Sequence, residues 1–402
     1  MAHRLGALAA LVIGITTSSD ALPQTAVRPG IEVLVAEKLQ LLQGKRIGIL
    51  INQTGVDRAG TSDVDLLRAV GVQLTAIFSP EHGFRGNLDE ATINSSVDAA
   101  TGLPIYSLYG TTRAPTKQML DTIDVLLVDL QDIGGRPYTY VSTTLLALGA
   151  AATAAKQVIV LDRPNPVGGE LVQGPVLETR FSSFVGMLLI PLRHGLTLGE
   201  MARLGNDTLG IHADLQVIPV QGWRRGAWFD ATGLPWIAPS PNMPDLESAT
   251  HYPGLVLFEG TNVSVGRGTP IAFQAIGAPW LKPQQLIERI GIVAGVALTA
   301  TTLTPKAPGD GKYDGENIPA IQLKVTDRAA YDPTRLAVIL LSALKSAHGD
   351  ALKFDATAFD ERAGTDRLRA GIEINDKPDR IWQDWAVDID RFIQQRRQYL
   401  LY

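Results

Sequence analysis

Residues 124–140, DVLLVDLQDIGGRPYTY, join a continuous apolar run to a polar segment that begins at Gln131 and contains two adjacent glycines. A short apolar run that does not alternate with polar residues is typical of a parallel strand buried on both faces. Similar runs occupy residues 45–52 (KRIGILIN), 73–79 (QLTAIFS) and 157–162 (QVIVLD). The four runs predict strands of one parallel sheet.

Segments with helical character separate these strands. They occupy residues 62–70, 116–123 and 142–156, and Ser142 is a candidate N-cap for the last of them. Strands that alternate with helices in this order form a sheet with helices on both faces. The sequence therefore predicts an α/β fold with a Rossmann-like, doubly wound and mostly parallel sheet.

The chain after the fourth strand is predicted to continue this fold. Thr197 and Glu200 have the spacing of a capping box, which predicts that a helix begins there. Residues 215–220 and 255–258 predict two more strands. The long segment 222–253, rich in Pro, Trp and Gly, predicts a lid, a binding loop or an insertion.

A shift in composition near residues 279–283 predicts a domain boundary. We expect a Rossmann-like catalytic domain over residues 30–280 and a smaller α+β domain over residues 281–402. The elements predicted for the second domain are helices over 284–297, 335–346 and 379–397 and a strand over 321–325.

Composition excludes several classes of function. The 402 residues include 36 Lys and Arg against 41 Asp and Glu, a net charge of −5, so we expect no nucleic-acid partner. The absence of cysteine excludes thiol nucleophiles, disulfides and cysteine-ligated metals. The chain contains no Walker loop, dinucleotide fingerprint, HExxH motif or GxSxG elbow. We therefore expect neither a cofactor nor a metal ion.

The first 21 residues have the three-part layout of a secretory signal peptide. Residues 1–4 are basic, residues 5–15 are apolar, and residues 16–21 are small or polar and end at Ala21. A membrane anchor is the alternative, but the apolar run is shorter than the ~20 residues that span a bilayer. We expect cleavage at residue 21, export to the periplasm or the medium, and no membrane span.

Polar side chains follow the predicted strands, at the edge where an open α/β sheet binds its ligands. They comprise carboxylates, amides, arginines and aromatic hydroxyls, a set that suits a ligand with many hydroxyl or carbonyl groups, such as a sugar. The candidate residues are Asn52, Gln53, Glu81, His82, Gln131, Asp132, Arg136, Tyr138, Tyr140, Arg163, Asn165, Glu259, Asn262 and Arg267.

The acidic candidates each have a structural alternative. Glu81 and His82 form either a solvated turn or a carboxylate–imidazole pair suited to proton transfer. Asp129 lies within its strand, where a buried acceptor and a catalytic group are both consistent with the sequence. Asp132, in the loop, is the better catalytic candidate, whereas His194 precedes a helix start and is interpreted as structural.

The aromatic and basic candidates leave similar alternatives open. Tyr138 and Tyr140 would face one side of an extended chain, where they could stack on a sugar or pack beneath a loop. Arg136, Arg163 and Arg267 could form ion pairs or bind a substrate carboxylate.

Several long motifs, in the same order, resemble the NamZ/YbbC-type exo-β-N-acetylmuramidases of glycoside hydrolase family 171. The resemblance covers nearly the whole chain after the predicted signal peptide. The motifs are SPEHGFRG (79–86), VDLQDIGGRPYTY (128–140), LDRPNPVGG (161–169), RHGLTLGE (193–200), PSPNMP (239–244), FEGTNVSVGRGT (258–269), FDERAGTDRLR (359–369) and RRQYLLY (396–402).

The resemblance implies an enzyme that releases N-acetylmuramic acid from non-reducing ends of peptidoglycan fragments by hydrolysing a β-1,4 MurNAc–GlcNAc bond. It implies Glu81 as the principal catalytic carboxylate, supported by His82. Our own inference adds Asp132 as the second group, with Glu259 as the alternative. Retention, inversion and participation of the substrate acetamide all remain consistent with the sequence.

Two other functions compete with hydrolysis of a glycoside. A non-catalytic muropeptide-binding protein would gain little from a carboxylate such as Glu81 beside an anionic ligand. An exported serine-type esterase or amidase would be expected to carry a nucleophile elbow, which the sequence lacks.

Overall fold

A computed structural model of the protein describes residues 26–90 and 92–402. The predicted signal peptide lies outside the described residues. Within the described ranges, no helix is both long enough and apolar enough to cross a membrane.

The described part of the chain contains a seven-stranded sheet with the spatial order β3-β4-β2-β1-β5-β6-β9. Its neighbouring strands pair in parallel, except that β3 runs antiparallel to β4 at the edge. The strands are β1 (Ile47–Ile51), β2 (Leu74–Ser79), β3 (Ser96–Val97), β4 (Pro104–Ser107), β5 (Val125–Asp129), β6 (Gln157–Leu161) and β9 (Leu215–Ile218). The chain winds outward in both directions from β1, so the predicted doubly wound sheet is confirmed.

Alternation along the central strands buries both faces of this sheet. In β1, Ile47 and Ile49 join one apolar cluster, whereas Leu50 joins the cluster on the opposite face. Leu126 and Leu127 of β5 divide between the two clusters in the same way. Because a strand with no polar face must be covered twice, the apolar runs in the sequence dictate helices on both sides.

In the part of the chain that the structure describes, six α-helices and one small ribbon accompany the large sheet. The ribbon pairs β7 (Gln173–Val176) with β8 (Pro191–Arg193) in antiparallel fashion. The helices are α1 (Gly30–Val33), α2 (Asp63–Ala69), α3 (Lys117–Leu120), α4 (Tyr140–Thr153), α5 (Leu198–Thr208) and α6 (Leu246–Leu255).

Two predicted helix starts have different outcomes. The capping box of α5 is confirmed, because the Thr197 hydroxyl accepts from the Glu200 amide and the Glu200 carboxylate accepts from the Thr197 amide. The prediction of Ser142 as an N-cap is wrong, because α4 begins at Tyr140 and Thr139 occupies the N-cap position. Ser142 lies inside the helix, and its buried hydroxyl has no hydrogen-bond partner among the described residues.

The strand predicted over residues 255–258 is also wrong. Helix α6 continues to Leu255, and a 3-10 turn, Val256–Gly260, follows it. A short, fully apolar run reads alike as a buried strand or as a buried helical segment, because periodicity distinguishes only elements with a polar face. Glu259 therefore lies within a helical turn rather than after a strand.

The C-terminal part contains a second sheet with the order β10-β12-β11, all antiparallel. Its strands are β10 (Ala275–Gly277), β11 (Val296–Leu303) and β12 (Ile318–Val325). The helices are α7 (Pro283–Ile290), α8 (Pro333–His348), α9 (Ala356–Ala363), α10 (Arg367–Glu373), α11 (Pro378–Trp382) and α12 (Trp385–Arg396). The helix predicted over 284–297 ends early, at Gly291 with φ 71°, and that over 379–397 is two helices.

The two parts share one apolar core. A single cluster of buried side chains extends from Leu50 in β1 to Tyr399 near the C-terminus. Strand β10 precedes the predicted domain boundary at 280/281, yet it pairs with β12 beyond that boundary. The boundary stays a prediction, and the shared core holds both parts around the cleft described next.

Candidate active site

A cleft of about 420 Å³ opens beyond the carboxyl ends of β2 and β4. Parallel sheets place their ligands at this edge because loops and helix starts converge there. The side chains around the cleft come from both parts of the chain. They are Glu81, His82, Tyr109, Arg113, Pro137, Tyr138, Thr139, Ser183, Phe184, Val185, Ser240, Met243, Tyr252, Glu259, Arg267, Phe273, Glu361 and Arg362.

Glu81 reaches the cleft from the loop directly after β2. The hydroxyl of Thr139 donates to Glu81 Oε2 at 2.5 Å, which fixes one oxygen of the carboxylate. On the other side lies Tyr109, which follows β4. Burial raises the pKa of Tyr109, and the negative charge of Glu81 and hydrogen bonding to it raise that pKa further. Two hydroxyl groups thus hold the half-buried carboxylate in place.

His82 lies beside Glu81 in a backbone conformation that favours glycine, with φ 69°. Its side chain is buried, and Nδ1 is 2.6 Å from the carbonyl oxygen of Leu88. That contact requires a proton on Nδ1, so a neutral imidazole keeps Nε2 as an acceptor. Strained residues held by their surroundings are concentrated at functional sites, and this one adjoins the cleft carboxylate.

Close packing under the SPEHGFRG loop explains one of its glycines. At Gly86, where φ is 68°, an added Cβ would come within 1.8 Å of the side chain of Gln53. Gln53 in turn donates from Nε2 to the carbonyl of Ala238 at 2.7 Å. Gln53, which was predicted to bind the sugar, therefore supports the loop that carries Glu81 instead of lining the cleft.

Three aromatic rings, those of Tyr138, Tyr252 and Phe273, also line the cleft. The rings of Tyr138 and Tyr252 meet edge to face at 5.8 Å, and Tyr252 lies 5.0 Å from Phe273. The Tyr138 hydroxyl is buried away from solvent, and the Tyr138 ring meets that of Tyr140 at 4.8 Å. Burial, together with neighbouring tyrosines and Glu81, raises the pKa of Tyr138 well above its ordinary value. Tyr138 therefore contributes an aromatic ring to the cleft, while its hydroxyl stays protonated and buried.

Glu259 lines the cleft as part of an ion-pair cluster. Arg267 Nε donates to Oε1 at 2.8 Å and Arg362 Nε donates to Oε2 at 3.2 Å. Asp89 lies 3.6 Å from the Arg267 guanidinium, so the positive charges of the two arginines are balanced by two carboxylates. Burial acts to raise the pKa of Glu259, but the two guanidinium groups hold it below its ordinary value. Glu259 is therefore an ionised and fully paired carboxylate.

Asp132, the predicted second catalytic group, does not reach the cleft. Its side chain is 4% exposed, its Oδ2 accepts from the Gly134 amide at 2.7 Å, and that oxygen lies 3.5 Å from His194 Nε2. Gln131 beside it donates to the carbonyls of Asp132 and Pro164. An aspartate that follows a strand can close a turn on its own backbone, and here that local bond replaces a role at the cleft.

Asn52 and Tyr140 also bond to each other rather than facing the cleft. Asn52 Nδ2 donates to the Tyr140 hydroxyl at 2.7 Å, and that hydroxyl donates to the carbonyl of Pro239 at 2.5 Å. Asn165 donates to the carbonyl of Leu196. These bonds lie at the carboxyl ends of β1, β5 and β6, where side chains occupy the crevice that a Rossmann sheet usually offers to a ligand.

Three more predicted binding residues are engaged within the protein. Arg163 forms a buried ion pair with Asp129, so Asp129 has the structural role left open by the sequence. Arg136 donates to three backbone carbonyls, and burial lowers its pKa to about 9. Asn262 bonds to backbone atoms of Ala351 and Lys353. The structure does not bring these side chains to the cleft.

The cleft therefore unites five of the predicted residues with several that the sequence did not single out. The predicted five are Glu81, His82, Tyr138, Glu259 and Arg267. The others include Tyr109, Arg113, Thr139, Phe184, Glu361 and Arg362. Glu361 and Arg362 lie in the quoted motif FDERAGTDRLR, which was a signal for them. Arg113 and Phe184 lie in no quoted motif, and only the fold shows their position.

No group of three or more His, Asp or Glu side chains close enough to hold a metal ion occurs within residues 26–90 and 92–402.

Family comparison covers almost all of the described chain. A family model described as "Exo-beta-N-acetylmuramidase NamZ, N-terminal" matches residues 47–247, and its C-terminal counterpart matches residues 250–402. A curated relative, the peptidoglycan beta-N-acetylmuramidase NamZ of Bacillus subtilis (strain 168), is 39% identical over 98% of this chain and 97% of its own length.

Two crystal structures of DUF1343 family proteins from Bacteroides fragilis NCTC 9343 have the same fold. One has a TM-score of 0.87 and 35% identity, and covers 94% of this chain and 100% of its own. The other has a TM-score of 0.74 and 33% identity, and covers 94% and 99%.

Proposed function

We infer the activity of this cleft from the premise that the chain belongs to the exo-beta-N-acetylmuramidase NamZ family. The protein is a glycosidase, and its activity is release of N-acetylmuramic acid from peptidoglycan fragments. A muramic acid glycoside offers a ring face, hydroxyls, an acetamide and a lactyl carboxylate. The aromatic, hydroxyl and guanidinium groups around Glu81 match these features.

We propose that Glu81 is the carboxyl group that protonates the leaving oxygen. Hydrolysis breaks the bond between the anomeric carbon and the glycosidic oxygen, which takes a proton from a protein acid while water supplies the new hydroxyl. Glu81 suits this role because it lines the cleft, forms an ion pair with none of the described residues and accepts a hydrogen bond from Thr139. The single observation that carries the proposal is this oriented, unpaired carboxylate at the carboxyl edge of the sheet.

Neither carboxylate predicted for the second catalytic role is suited to it. Asp132 lies outside the cleft, and both oxygens of Glu259 accept from arginines, which makes Glu259 a weak nucleophile. Participation of the substrate acetamide needs only one protein acid and one group that orients the acetamide. We propose that participation of the acetamide takes the place of a second protein carboxylate, with the polar side chains around Glu81 orienting the acetamide.

The test of the catalytic carboxylate is Glu81→Gln, assayed on a chromogenic β-glycoside of N-acetylmuramic acid. Loss of a general acid lowers the rate by at least ~100-fold, and circular dichroism is expected to match the wild type. Glu316→Gln is the control for the substitution itself, because Glu316 is exposed and does not line the cleft. A Glu81→Gln enzyme within tenfold of the wild type would remove Glu81 from the mechanism.

We also propose that the protein is exported and acts in the periplasm or outside the cell. Support comes from the basic, apolar and small-residue order of residues 1–21. Amino-terminal sequencing of protein recovered from periplasm and medium tests this proposal. A mature chain that begins at residue 22 supports export, whereas recovery only from the cytoplasm with residues 1–21 intact contradicts it.

A further inference from the structure

The charges of the three arginines around the cleft are not equally balanced. Arg267 and Arg362 share the carboxylate of Glu259, and Asp89 lies near Arg267. Arg113 is exposed at the cleft and forms no ion pair or hydrogen bond with any residue in the described ranges. Arg113 is therefore the cleft arginine whose charge the protein itself leaves uncompensated.

An aromatic side chain holds this guanidinium in place. The guanidinium carbon of Arg113 lies 4.4 Å from the centroid of the Phe184 ring, a cation–π distance. Phe184 in turn lies 6.3 Å from the ring of Tyr109, which adjoins Glu81. Stacking occupies the flat face of a guanidinium and leaves its N–H edge available for hydrogen bonds. Arg113 and Glu81 thus belong to one continuous wall of the cleft.

We propose that Arg113, stacked on Phe184, binds the lactyl carboxylate of muramic acid and so determines specificity for this sugar. The proposal rests on the proposed function, because it concerns the substrate of that same cleft. A guanidinium edge binds a carboxylate through two parallel hydrogen bonds, which fixes orientation as well as adding affinity. Arg113 is a specificity-determining residue, and the chemical step remains with Glu81.

The other charges in the cleft favour this placement of the carboxylate. Glu81 and Glu361 are carboxylates without a cationic partner in the described chain, so each repels a substrate carboxylate placed beside it. The Glu259 cluster has no uncompensated charge with which to attract one. Arg136 and Arg163, the earlier candidates, are engaged in the interior. Attraction of the lactyl carboxylate by Arg113 and its repulsion by Glu81 and Glu361 therefore favour a single orientation of the sugar.

The test compares two substrates and two variants of Arg113, Arg113→Gln and Arg113→Lys. The substrates are the chromogenic β-glycoside of N-acetylmuramic acid and the same glycoside with its carboxylate converted to a neutral amide. A hydrogen-bonded charge pair contributes about 1.5–3 kcal/mol, so Arg113→Gln lowers kcat/KM on the acid by roughly 10- to 100-fold. We expect most of the loss in KM, because the carboxylate is bound equally before and during the reaction.

The neutral amide separates charge recognition from a general defect. Arg113→Gln is expected to leave kcat/KM for the amide within twofold of the wild type, and Arg113→Lys to retain part of the preference for the acid. Arg328→Gln is the control outside the cleft, since Arg328 also stacks on an aromatic ring, Trp228 at 4.6 Å, and pairs with Asp230 there. The control should leave both substrates unaffected.

Three outcomes decide the proposal. A selective loss on the acid supports it, whereas an unchanged acid rate or an equal loss on both substrates overturns it. If the wild type hydrolyses neither glycoside, the proposed function fails separately. In that case calorimetry with free N-acetylmuramic acid decides. If Arg113→Gln binds the sugar more weakly than the wild type and Arg328→Gln does not, the carboxylate site is supported. If Arg113→Gln and Arg328→Gln bind it equally well, the carboxylate site is overturned.

Discussion

Replacement of Thr139 by valine tests whether the hydrogen bond to Glu81 matters for catalysis. The Thr139 hydroxyl donates to Glu81 Oε2 at 2.5 Å, and it makes no capping bond to α4 although it occupies the N-cap position. The substitution therefore removes one bond to a charged group and no bond of the helix. Such bonds contribute about 1.5–3 kcal/mol, which corresponds to a rate loss of roughly 10- to 100-fold.

The assay is steady-state hydrolysis of a chromogenic muramic acid glycoside together with urea denaturation. We expect Thr139→Val to lower kcat with little change in KM or in the urea midpoint, because a misoriented carboxyl group affects the transition state more than binding. Thr143→Val is the matched control one turn further along α4, because no residue in the described ranges hydrogen-bonds to its buried hydroxyl. A Thr139→Val enzyme as active as the Thr143→Val enzyme would refute the orienting role.

Three further predictions concern carboxylates with defined partners. Glu259→Gln leaves Arg362 without a carboxylate partner and Arg267 with Asp89 alone, so we expect a loss of about 3 kcal/mol in unfolding free energy, measured by urea denaturation. Burial acts to raise the pKa of Glu247, but hydrogen bonds to His251 and Val325 dominate and lower it to about 2. Its contribution to stability is therefore complete above pH 4.5 and falls as the pH approaches 2, and Glu247→Gln should flatten that part of a curve of melting temperature against pH. Asp132→Asn keeps an oxygen acceptor for the Gly134 amide, so hydrolysis should remain within tenfold of the wild type; a larger loss with normal stability would restore Asp132 as a catalytic candidate.

The fold could be predicted well where burial alone decides the structure. The apolar runs at β1, β5 and β6 have no polar face, and the structure buries them between two apolar clusters. The same reasoning failed for residues 255–258, because a fully buried run carries no period by which strand and helix differ. Ser142 misled for a related reason: its helix begins at Tyr140, so local capping preference was overridden by the sheet that positions the helix.

The sequence could predict where the candidate site lies but not which residues form it. Strand ends predict which segments approach the ligand edge, and Glu81 and Tyr138 lie at the cleft as a result. Sequence does not show which polar groups bond to one another instead, as Asn52 does with Tyr140 and Arg163 with Asp129. Those pairs join residues far apart in the chain, so their contacts depend on the strand order.

Close packing around the cleft also depends on contacts between residues that are far apart in the chain. At Gly135 an added Cβ would come within 2.7 Å of the ring of Tyr252, which lies more than a hundred positions further along the chain. The sequence marks this glycine as part of a loop, but only the fold identifies the aromatic ring that requires it. The identity of the cleft lining therefore follows from the packing of the two parts against each other.

A crystal structure of the Glu81→Gln variant with a bound MurNAc–GlcNAc disaccharide would test the central claim most directly. The account predicts that the side chain at position 81 lies about 2.6–3.2 Å from the glycosidic oxygen, with the muramic acid ring inside the cleft next to Tyr138. A disaccharide bound with its glycosidic oxygen beyond hydrogen-bond reach of position 81, and beside another carboxylate, would contradict it.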